Sequence, residues 1–267
     1  MRIAYLGPRD SFSYSAAQRF SGGGDELREY PTITRAVLSV GGECGAAVVP
    51  LENSSEGGVS DTLDALIQND GLFINYEYGL KIEQKLLYLR GAELKDIKTV
   101  ITHKQPYGQC RETLSRLLPD AEIVFADSTS AAARAVRDGH TAAIGGAQLG
   151  TNDLCASDFN LNDQAGNRTR FILVSENDIR DAANTKTTVV FESQNKPGGL
   201  VALLQVFQEY GINMTRIESR PRKDFLDRYL FIVNLTGNAL DSGVKTALDR
   251  IREKTVYYKF LGSYRVI

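Results

Sequence analysis

Histidine and cysteine are scarce in this chain of 267 residues, which contains two histidines and three cysteines. The histidines are His103 and His140, and no spacing between them or the cysteines is typical of a metal site, so the sequence argues against a bound metal. Cys44, Cys110 and Cys155 lie far apart, with no Cys-x-x-Cys pair. An odd and scattered set of cysteines is typical of free thiols in a reducing cytoplasm.

Long apolar runs and long basic runs are also missing. No apolar stretch approaches the ~20 residues that a membrane-spanning helix requires, and the N-terminal segment turns polar too soon for a signal peptide. The net charge is −2. We therefore expect no membrane and no nucleic acid as partners, and a cytoplasmic protein.

The common nucleotide and nucleophile motifs are absent as well. No Gly-x-Gly-x-x-Gly follows a predicted strand, no Gly-x-x-x-x-Gly-Lys-Ser/Thr loop occurs, and no Gly-x-Ser-x-Gly elbow is found. What remains is a set of neutral hydroxyl and amide groups together with arginine. Such a set suits a small carboxylate and a reaction that needs polarisation more than a strong base, without a cofactor.

From residue 1 to about 175, short apolar runs alternate with amphipathic stretches. Continuous runs of this kind indicate buried strands, and their alternation with helices predicts an α/β domain with a largely parallel sheet. The runs are Ile3–Leu6, Ala46–Val49, Thr99–Thr102, Ile123–Phe125 and Thr141–Ile144, and the predicted helices cover 59–67, 108–118 and 129–137. Ligands of such sheets bind at the carboxyl ends of the strands.

A polar stretch at 176–186 predicts a linker, and a second unit follows it. Strands are predicted at 187–191, 212–219, 228–235 and about 255–261, and helices at 197–210 and about 240–253, with Gly211 as the C-terminal cap of the first. The order β-α-β-β-α-β is the ferredoxin-like arrangement.

Small polar residues follow each strand of the first unit. At Ser11 or Ser13 a helix cap explains the residue about as well as a ligand contact does, whereas the loop at 50–58 has more polar groups than a turn needs and favours a ligand. His103 is either an acid–base group or a structural residue. Four polar loops at four strand ends nevertheless favour a common cleft. The loops that would line this cleft are 7–13, 50–58, 102–110 and 127–130, and Gln109 at the start of a helix could face it as well.

One further segment, Asn167–Phe171, places an amide, a hydroxyl and two guanidiniums directly before an apolar strand. Two close arginines bind a carboxylate by paired hydrogen bonds, and Thr169 between them can offer a hydroxyl to the same site. The alternative interpretation is an ordinary polar hairpin.

These segments together resemble a known family. The stretches YLGPRDSFSYSAA (5–17), VVPLENSSEGGVSDTLD (48–64), THKQPYGQC (102–110), DSTSAA (127–132), GNRTRF (166–171), ESRP (218–221) and FLGSY (260–264) look like prephenate dehydratase with a C-terminal ACT regulatory domain. Each motif alone is weak, whereas this many in the family's order, followed by a βαββαβ unit, is specific.

The resemblance implies a fold and a reaction. The expected fold has a two-lobed, periplasmic-binding-protein-like catalytic domain at 1–178, with lobe one at 1–76 and 155–178, lobe two at 77–154 and the site in the cleft between them. The ACT domain would cover 186–267. Prephenate would lose carbon dioxide and hydroxide to give phenylpyruvate in phenylalanine biosynthesis, without cofactor or metal, and L-phenylalanine would inhibit the reaction.

The resemblance also assigns residues. Thr169 would assist the departing hydroxide, Arg170 would pair with a carboxylate or else brace the loop, and Phe171 would complete the motif. The substrate would contact Asn53, Ser54, Gln109, Ser128 and Thr129, and less certainly Ser13. Phenylalanine would bind between two ACT domains of a homodimer or homotetramer, at Gly198, Gly199, Leu200, Asn213, Glu218, Ser219 and Arg220.

Three positions depart from the family pattern, and two other functions remain open. Gly199 stands where alanine is common, Gln84 where histidine is frequent, and Tyr14 also where histidine is frequent. An arogenate dehydratase would share every motif. A non-catalytic amino-acid sensor would keep the carboxylate-binding groups but would not need Thr169.

Overall fold

The computed structural model describes residues 1–222, 225 and 227–267. The first lobe begins with a strand–helix–strand–helix segment, in which Ser11 and Thr32 cap the two helices with their hydroxyl oxygens. Its elements are β1 (Arg2–Leu6), α1 (Phe12–Phe20), β2 (Glu26–Tyr30), α2 (Ile33–Leu38), β3 (Ala46–Asn53), β4 (Gly57–Gly58), α3 (Ser60–Gln68) and β5 (Phe73–Lys81).

The second lobe follows β5 directly and has its own five-stranded sheet, in the order β10-β6-β9-β7-β8. Two short 3-10 helices lie at Leu94–Asp96 and Ala147–Leu149. The remaining elements are β6 (Lys85–Leu89), β7 (Thr99–Thr102), α4 (Lys104–Leu117), β8 (Glu122–Phe125), α5 (Thr129–Ala135), β9 (Thr141–Gly145) and β10 (Leu154–Ala156).

The chain then returns to the first lobe with β11 (Arg168–Ser175), which lies between β3 and β5. The C-terminal unit is β12 (Lys186–Glu192), α6 (Gly199–Glu209), β13 (Met214–Pro221), β14 (Tyr229–Thr236), α7 (Ser242–Lys254) and β15 (Tyr257–Val266). This is the predicted βαββαβ order, and Gly211 ends α6 with φ +63°. The predicted fold class, two α/β lobes and a ferredoxin-like unit, is confirmed.

The expectation of largely parallel sheets is wrong. In the first lobe β1 pairs in parallel with β2 and β3, but β11 is antiparallel to both β3 and β5. In the second lobe β6 is antiparallel to β9 and β10. The antiparallel strands are those that carry the chain between the lobes, and short apolar runs do not reveal their direction.

The lobes meet at other residues than the sequence predicts. β5 pairs with β11 along its whole length, from Phe73 to Lys81, so the predicted limit at 76/77 falls inside this strand. The limit at 154/155 falls inside β10, which belongs to the second sheet. The chain crosses between the sheets at 82–84 and 157–167. The outer limits of the two domains, 1–178 and 186–267, stay predictions.

The C-terminal unit shares a sheet and a core with the first lobe. β15 pairs with β12 and, through Arg265 and Val266, with β5, which gives one sheet in the order β13-β14-β12-β15-β5-β11-β3-β1-β2. One face of the C-terminal strands is covered by α6 and α7. The other face, with Val190, Ile232 and Tyr264, packs into the same hydrophobic core as α2 and α3. The two domains therefore stabilise one another.

This shared core generates a prediction about stability. Ile232 belongs to the C-terminal unit but is 1% exposed in the first lobe's core. We expect Ile232→Ala to lower the free energy of unfolding by about 2–5 kcal/mol, because the truncation leaves a cavity, and to lower the melting temperature of both domains together. Denaturant unfolding followed by far-UV circular dichroism measures the effect.

The matched control is Ile179→Ala, since Ile179 is 38% exposed. It should change the free energy of unfolding by less than about 0.5 kcal/mol. An Ile232→Ala protein in which only part of the molecule melts earlier would contradict the shared core.

Candidate active site

A cleft of about 470 Å³ separates the two lobes. All four polar loops of the sequence contribute to its walls, and so do Thr169 and Phe171 of β11. Of the predicted contact residues, the cleft wall contains Ser13, Asn53, Gln109, Ser128 and Thr129. The structure thus brings to one place groups that are up to 156 positions apart, from Ser13 to Thr169.

Helix N-termini form much of this wall. The first residues of α1, α3, α4 and α5, or the residues just before them, all line the cleft. Ser11, His103 and Ser128 cap their helices by accepting hydrogen bonds from Tyr14, Gln105 and Ala131 backbone N–H groups at 3.2, 3.4 and 3.0 Å. Helix α3 has no side-chain cap. Free N–H groups and the helix dipole attract anions to such ends.

No lysine or arginine lines the cleft in the described part of the chain. The charged side chains there are Glu56 and Asp127, and His103 serves as the cap of α4. A carboxylate ligand would therefore be held by backbone N–H groups, hydroxyls and amides. The three helices α1, α3 and α4, each of nine residues or more, supply the fixed positive ends.

A chain of amides runs along the floor of the cleft, and its direction is fixed at both ends. The backbone N–H of Ser55 donates to Asn53 Oδ1 at 2.9 Å, which leaves Asn53 Nδ2 to donate to Thr169 Oγ1 at 2.8 Å and to Asn167 Oδ1 at 3.0 Å. Asn167 Nδ2 donates to Gln109 Oε1 at 3.2 Å. Gln109 Nε2 in turn donates to the carboxylate of Glu56 at 3.5 Å. A backbone donor at one end and a carboxylate acceptor at the other permit one orientation of every amide.

This chain determines the role that the Thr169 hydroxyl can take. Thr169 is 9% exposed, and its hydroxyl oxygen already accepts a hydrogen bond from Asn53. A hydroxyl that accepts from a neighbour keeps its own proton for a further acceptor. Thr169 lines the cleft, so it can donate that proton to an oxygen of a bound ligand.

The two arginines beside Thr169 do not form the carboxylate clamp that the sequence suggested. Successive side chains of a strand point to opposite faces, so Arg168 and Arg170 lie on the far side of β11 from Thr169 and Phe171. Arg170 forms ion pairs with Glu52 at 3.0 Å and with Glu77 at 3.1 Å, outside the cleft. Of the two predictions for Arg170, contact with a carboxylate of the substrate is wrong. Bracing of the strand agrees with its position.

Ser54 also lies outside the cleft wall. Its hydroxyl donates to Asn167 Oδ1 at 3.4 Å and accepts from the Arg168 backbone N–H at 3.0 Å. These bonds use its proton and tie the β3–β4 hairpin to the start of β11. Ser54 therefore supports Asn167 instead of contacting the ligand directly, which corrects the prediction.

Three residues outside the predicted set of ligand contacts join the site. Asn167 is 5% exposed and stands at the centre of the amide chain. Glu56 accepts from Gln105 Nε2 at 2.7 Å on both oxygens, so it bridges the two lobes across the cleft. Gln84, one of the departures from the family pattern, donates to Gln109 Oε1 at 3.4 Å. Membership of the motifs around 53–58 and 166–171 was the signal that could have identified Asn167 and Glu56.

Asp163 anchors the helix that carries Gln109. Its carboxylate accepts the backbone N–H groups of Glu112 and Thr113 at 3.0 and 2.7 Å, and its own N–H donates to the Gln109 carbonyl at 2.8 Å. Burial acts to raise the pKa of Asp163, but these N–H groups outweigh it, so its pKa lies below the ordinary value. Burial, and then the Asp163 charge, raise the pKa of the neighbouring Cys110 to about 12, so this thiol is not a nucleophile at neutral pH.

The predicted regulatory residues fall into separate groups within one chain. Gly198, Gly199 and Leu200 line a cavity of about 300 Å³ at the start of α6. Asn213 is exposed beyond the other end of that helix, before β13, and its carbonyl accepts from Thr236 N at 2.9 Å. Glu218 and Arg220 point towards the first lobe, and Ser219 is exposed on the opposite face of β13. One subunit therefore does not bring all seven residues into one site.

The departure at Gly199 has a local structural reason. A side chain there would collide with the backbone carbonyl of Gln194, because the loop at 193–197 folds closely over the start of α6. Glycine at this position permits that approach. The same loop forms part of the wall of the cavity at Gly198.

The fold and the cleft define a class: a two-lobed α/β protein with a small-ligand site between the lobes and a ferredoxin-like unit docked on one of them. The profile of the prephenate dehydratase family matches residues 3–179, and that of the ACT domain matches residues 187–253. The chain belongs to the prephenate dehydratase family and carries an ACT domain at its C-terminus. Members of this family are enzymes of the carbon–oxygen lyase class.

Individual relatives agree with this assignment. The chain is 35% identical to a prephenate dehydratase of Lactococcus lactis subsp. cremoris, over all of this chain and 98% of the relative. It is 35% identical to a bifunctional chorismate mutase/prephenate dehydratase of Neisseria gonorrhoeae, over 99% of this chain and 74% of the relative. The solved structure of Arthrobacter aurescens prephenate dehydratase in complex with L-Phe superposes with a TM-score of 0.89 at 34% identity, over 99% of this chain and 90% of that one.

Within residues 1–222, 225 and 227–267, no helix is long and apolar enough to cross a membrane. No group of three or more His, Cys, Asp and Glu side chains is found in that part of the chain with the proximity that a metal ion would require.

The Asp163 anchor generates a prediction about pH. A carboxyl whose pKa is lowered by folding stabilises the protein above its unfolded pKa of about 3.9, and this contribution disappears as the pH falls through the folded value. We expect Asp163→Asn to be less stable than the natural chain at pH 7, and the difference to shrink below about pH 4. Urea denaturation over this pH range measures it.

Asp120→Asn is the matched control, because Asp120 is exposed and its carboxylate has no hydrogen bond among the described residues. This variant should show no such difference. A loss of stability in Asp163→Asn that is the same at pH 3 and at pH 7 would contradict the assignment.

Proposed function

We propose that this protein converts prephenate into phenylpyruvate, carbon dioxide and water, and that L-phenylalanine inhibits it through the ACT domain. The observation that carries the proposal is the Thr169 hydroxyl, which accepts from Asn53 at 2.8 Å and keeps its proton for the cleft. Family membership gives the reaction, and the geometry of Thr169 explains how the chain assists it.

The reaction requires help at the leaving oxygen. Loss of carbon dioxide breaks a carbon–carbon bond, its electron pair moves into the ring, and the ring becomes aromatic as the carbon–oxygen bond to the hydroxyl breaks. The departing hydroxide takes up one proton and leaves as water. A threonine hydroxyl is a weak acid, so Thr169 stabilises the developing negative charge by a hydrogen bond, and solvent supplies the net proton.

The two carboxylates of prephenate need a positive environment. We propose that the N-termini of α1, α3 and α4 provide it, since no lysine or arginine lines the described cleft. Asn53 and Gln109 would hold the substrate on the floor. Ser13, Ser128 and Thr129 would contact it from the two walls. Phe171, which is 2% exposed, would support the ring side of the cleft.

The cavity at the start of α6 has the chemistry that an aromatic amino acid requires. The N-cap residue Gly198 has no side chain to cap this 11-residue helix. The Gly199 N–H donates to the Lys196 carbonyl at 2.9 Å, which leaves the N–H groups of Leu200 and Val201 for a carboxylate. Leu200, Tyr229 and Phe231 in the same wall can contact a phenyl ring. The predicted contacts Asn213, Glu218, Ser219 and Arg220 lie outside this wall, so a second subunit would have to supply any further contact.

Three further assignments belong to the same proposal. We propose a catalytic domain at 1–178 and a regulatory domain at 186–267, assembled as a homodimer or homotetramer through the ACT units. The sheet edge at β13 is open for such an assembly in the described chain. A reducing cytoplasm fits the three cysteines, which are free thiols here.

The test is phenylpyruvate formation from prephenate by the purified protein, with a chelator present and with and without phenylalanine. Turnover that resists the chelator and falls with phenylalanine would support both parts of the proposal. Turnover without a phenylalanine response would overturn the regulatory part. Absence of turnover from prephenate, with turnover from arogenate, would identify the alternative dehydratase, and kcat/KM for the two substrates ranks them.

The Thr169 assignment makes its own prediction. Thr169→Val preserves the shape and removes the hydroxyl, and we expect kcat to fall roughly 10²–10³-fold, as after removal of one transition-state hydrogen bond. KM should change little, because the bond strengthens only as the oxygen departs. Steady-state kinetics with prephenate measures both values.

Thr169→Ser is the matched control, because serine retains a hydroxyl that can accept from Asn53. It should recover most of the lost kcat. Unchanged turnover in Thr169→Val would overturn the role of Thr169 in catalysis and remove the reason to prefer an enzyme over a binding protein. A change confined to KM would show that Thr169 only binds substrate.

A further inference from the structure

Strand β13 of the ACT domain presents two different faces. Thr215, Ile217 and Ser219 are exposed on the outer face. Arg216, Glu218 and Arg220 alternate with them and point inwards, and the Arg216 side chain is only 6% exposed. Three charged side chains in a row on an inward face require partners, and the partners belong to the catalytic domain as well as to β13 itself.

The first contact lies at the β3–β4 hairpin. Arg216 and Glu218 form an ion pair that lies against Gly58, where any side chain would collide with both. Arg216 Nε is also 3.7 Å from Glu52 Oε1. Gly58 pairs with Glu52 across the hairpin and lines the active-site cleft. The ACT strand therefore touches the wall of the active site.

The second contact passes to the strand that bears Thr169. Glu52 forms an ion pair with Arg170 at 3.0 Å. In the pairing of β3 with β11, Glu52 lies opposite Arg170, and the next residue, Asn53, lies opposite Thr169. The charged pair and the catalytic pair thus occupy successive positions of the same two strands, on opposite faces. Arg170 also forms an ion pair with Glu77. Glu77 in turn forms an ion pair with Lys186 of the ACT strand β12 at 2.8 Å.

The third contact lies at helix α3. Arg220 Nη1 donates to Ser60 Oγ at 2.9 Å, and Nη2 donates to Asp64 Oδ1 at 2.9 Å. Both partners are in the first two turns of α3, whose uncapped N-terminus faces the cleft. The same strand is also connected to the α6 cavity, because Pro221 pairs with Tyr229 in its wall.

We propose that β13 transmits regulation to the active site: its inner face, Arg216, Glu218 and Arg220, holds the β3–β4 hairpin and the start of α3 in the position that orients Asn53 and Thr169. A ligand at the α6 cavity moves β14 and with it β13, and the charged face carries this shift to the cleft. The three side chains are positioning residues for the reaction. The identity of the effector as phenylalanine rests on the function proposed above.

Arg216→Met tests this proposal, because methionine keeps an unbranched apolar stem and removes the charge. Arg250→Met is the matched control: Arg250 also forms an arginine–glutamate pair within the ACT domain, with Glu209, on the side away from the catalytic domain. Arg220→Met is a second variant for the case that Arg216→Met does not fold, since Arg220 is 23% exposed.

The first measurement is hydrogen exchange of the full-length protein without ligand. We expect the backbone of 51–58 and 168–171 to exchange at least about tenfold faster in Arg216→Met, and α3 in Arg220→Met, because local opening becomes easier. Arg250→Met should exchange as the natural chain does in these segments. Unchanged exchange in both inner-face variants would overturn the proposal, whether or not the protein turns over prephenate.

The second measurement separates coupling from mere stability. In the natural chain, saturating phenylalanine should change the kinetic constants for prephenate by a factor of about 5–150, which is the usual range of allosteric coupling. In Arg216→Met this factor should approach about one while calorimetry still shows phenylalanine binding within about threefold of the natural affinity. Full inhibition by phenylalanine in Arg216→Met would overturn the proposal. If phenylalanine does not change the kinetic constants of the natural chain, the choice of effector is wrong, and the hydrogen-exchange experiment alone decides whether β13 positions the active site.

Discussion

The pairing of β11 between β3 and β5 is the constraint on which the rest of this structure depends. It joins residues more than 110 positions apart, Asn53 and Thr169, and fixes the register in which the Asn53 amide meets the Thr169 hydroxyl. Since a strand alternates its side chains, the same register places Glu52 against Arg170 on the other face. One set of backbone hydrogen bonds therefore positions both the floor of the cleft and the ion pair on the opposite face of the sheet.

The cleft recognises anions without a cationic side chain in its described wall. Helix N-termini and aligned amides are rigid, so their dipoles need no reorganisation when a charged ligand binds or when charge moves within it. In the proposed mechanism a guanidinium close to the leaving oxygen would bind the substrate and the transition state alike, whereas the Thr169 hydroxyl would act where charge develops. The arginines of the Asn167–Phe171 segment lie outside the cleft, because strand alternation places them on the other face of β11.

The ACT domain contributes directly to the fold of the catalytic domain. Its sheet continues into the catalytic sheet at β15, and its inner face buries Val190, Ile232 and Tyr264 with the helices of the first lobe. Burial, and next the charge of Glu77, raise the pKa of Tyr264, whose hydroxyl shares a hydrogen bond with Thr188 at 2.8 Å. A domain that is docked by a common core can pass a small displacement to its neighbour because packed cores deform little.

The sequence by itself determined several buried strands and helices of the first unit, the ferredoxin-like unit, the polar loops of the cleft and the family, because periodicity, capping residues and motifs are local properties of the chain. It did not reveal the strands β2, β5, β6 and β10, the antiparallel direction of β11, or that Asp163 and Glu56 support the site. Only the tertiary structure decided which face each side chain occupies. The side of β11 that becomes the cleft depends on its pairing with strands far away in the chain, and so Thr169 faces the cleft while Arg170, one residue later, faces the ACT domain.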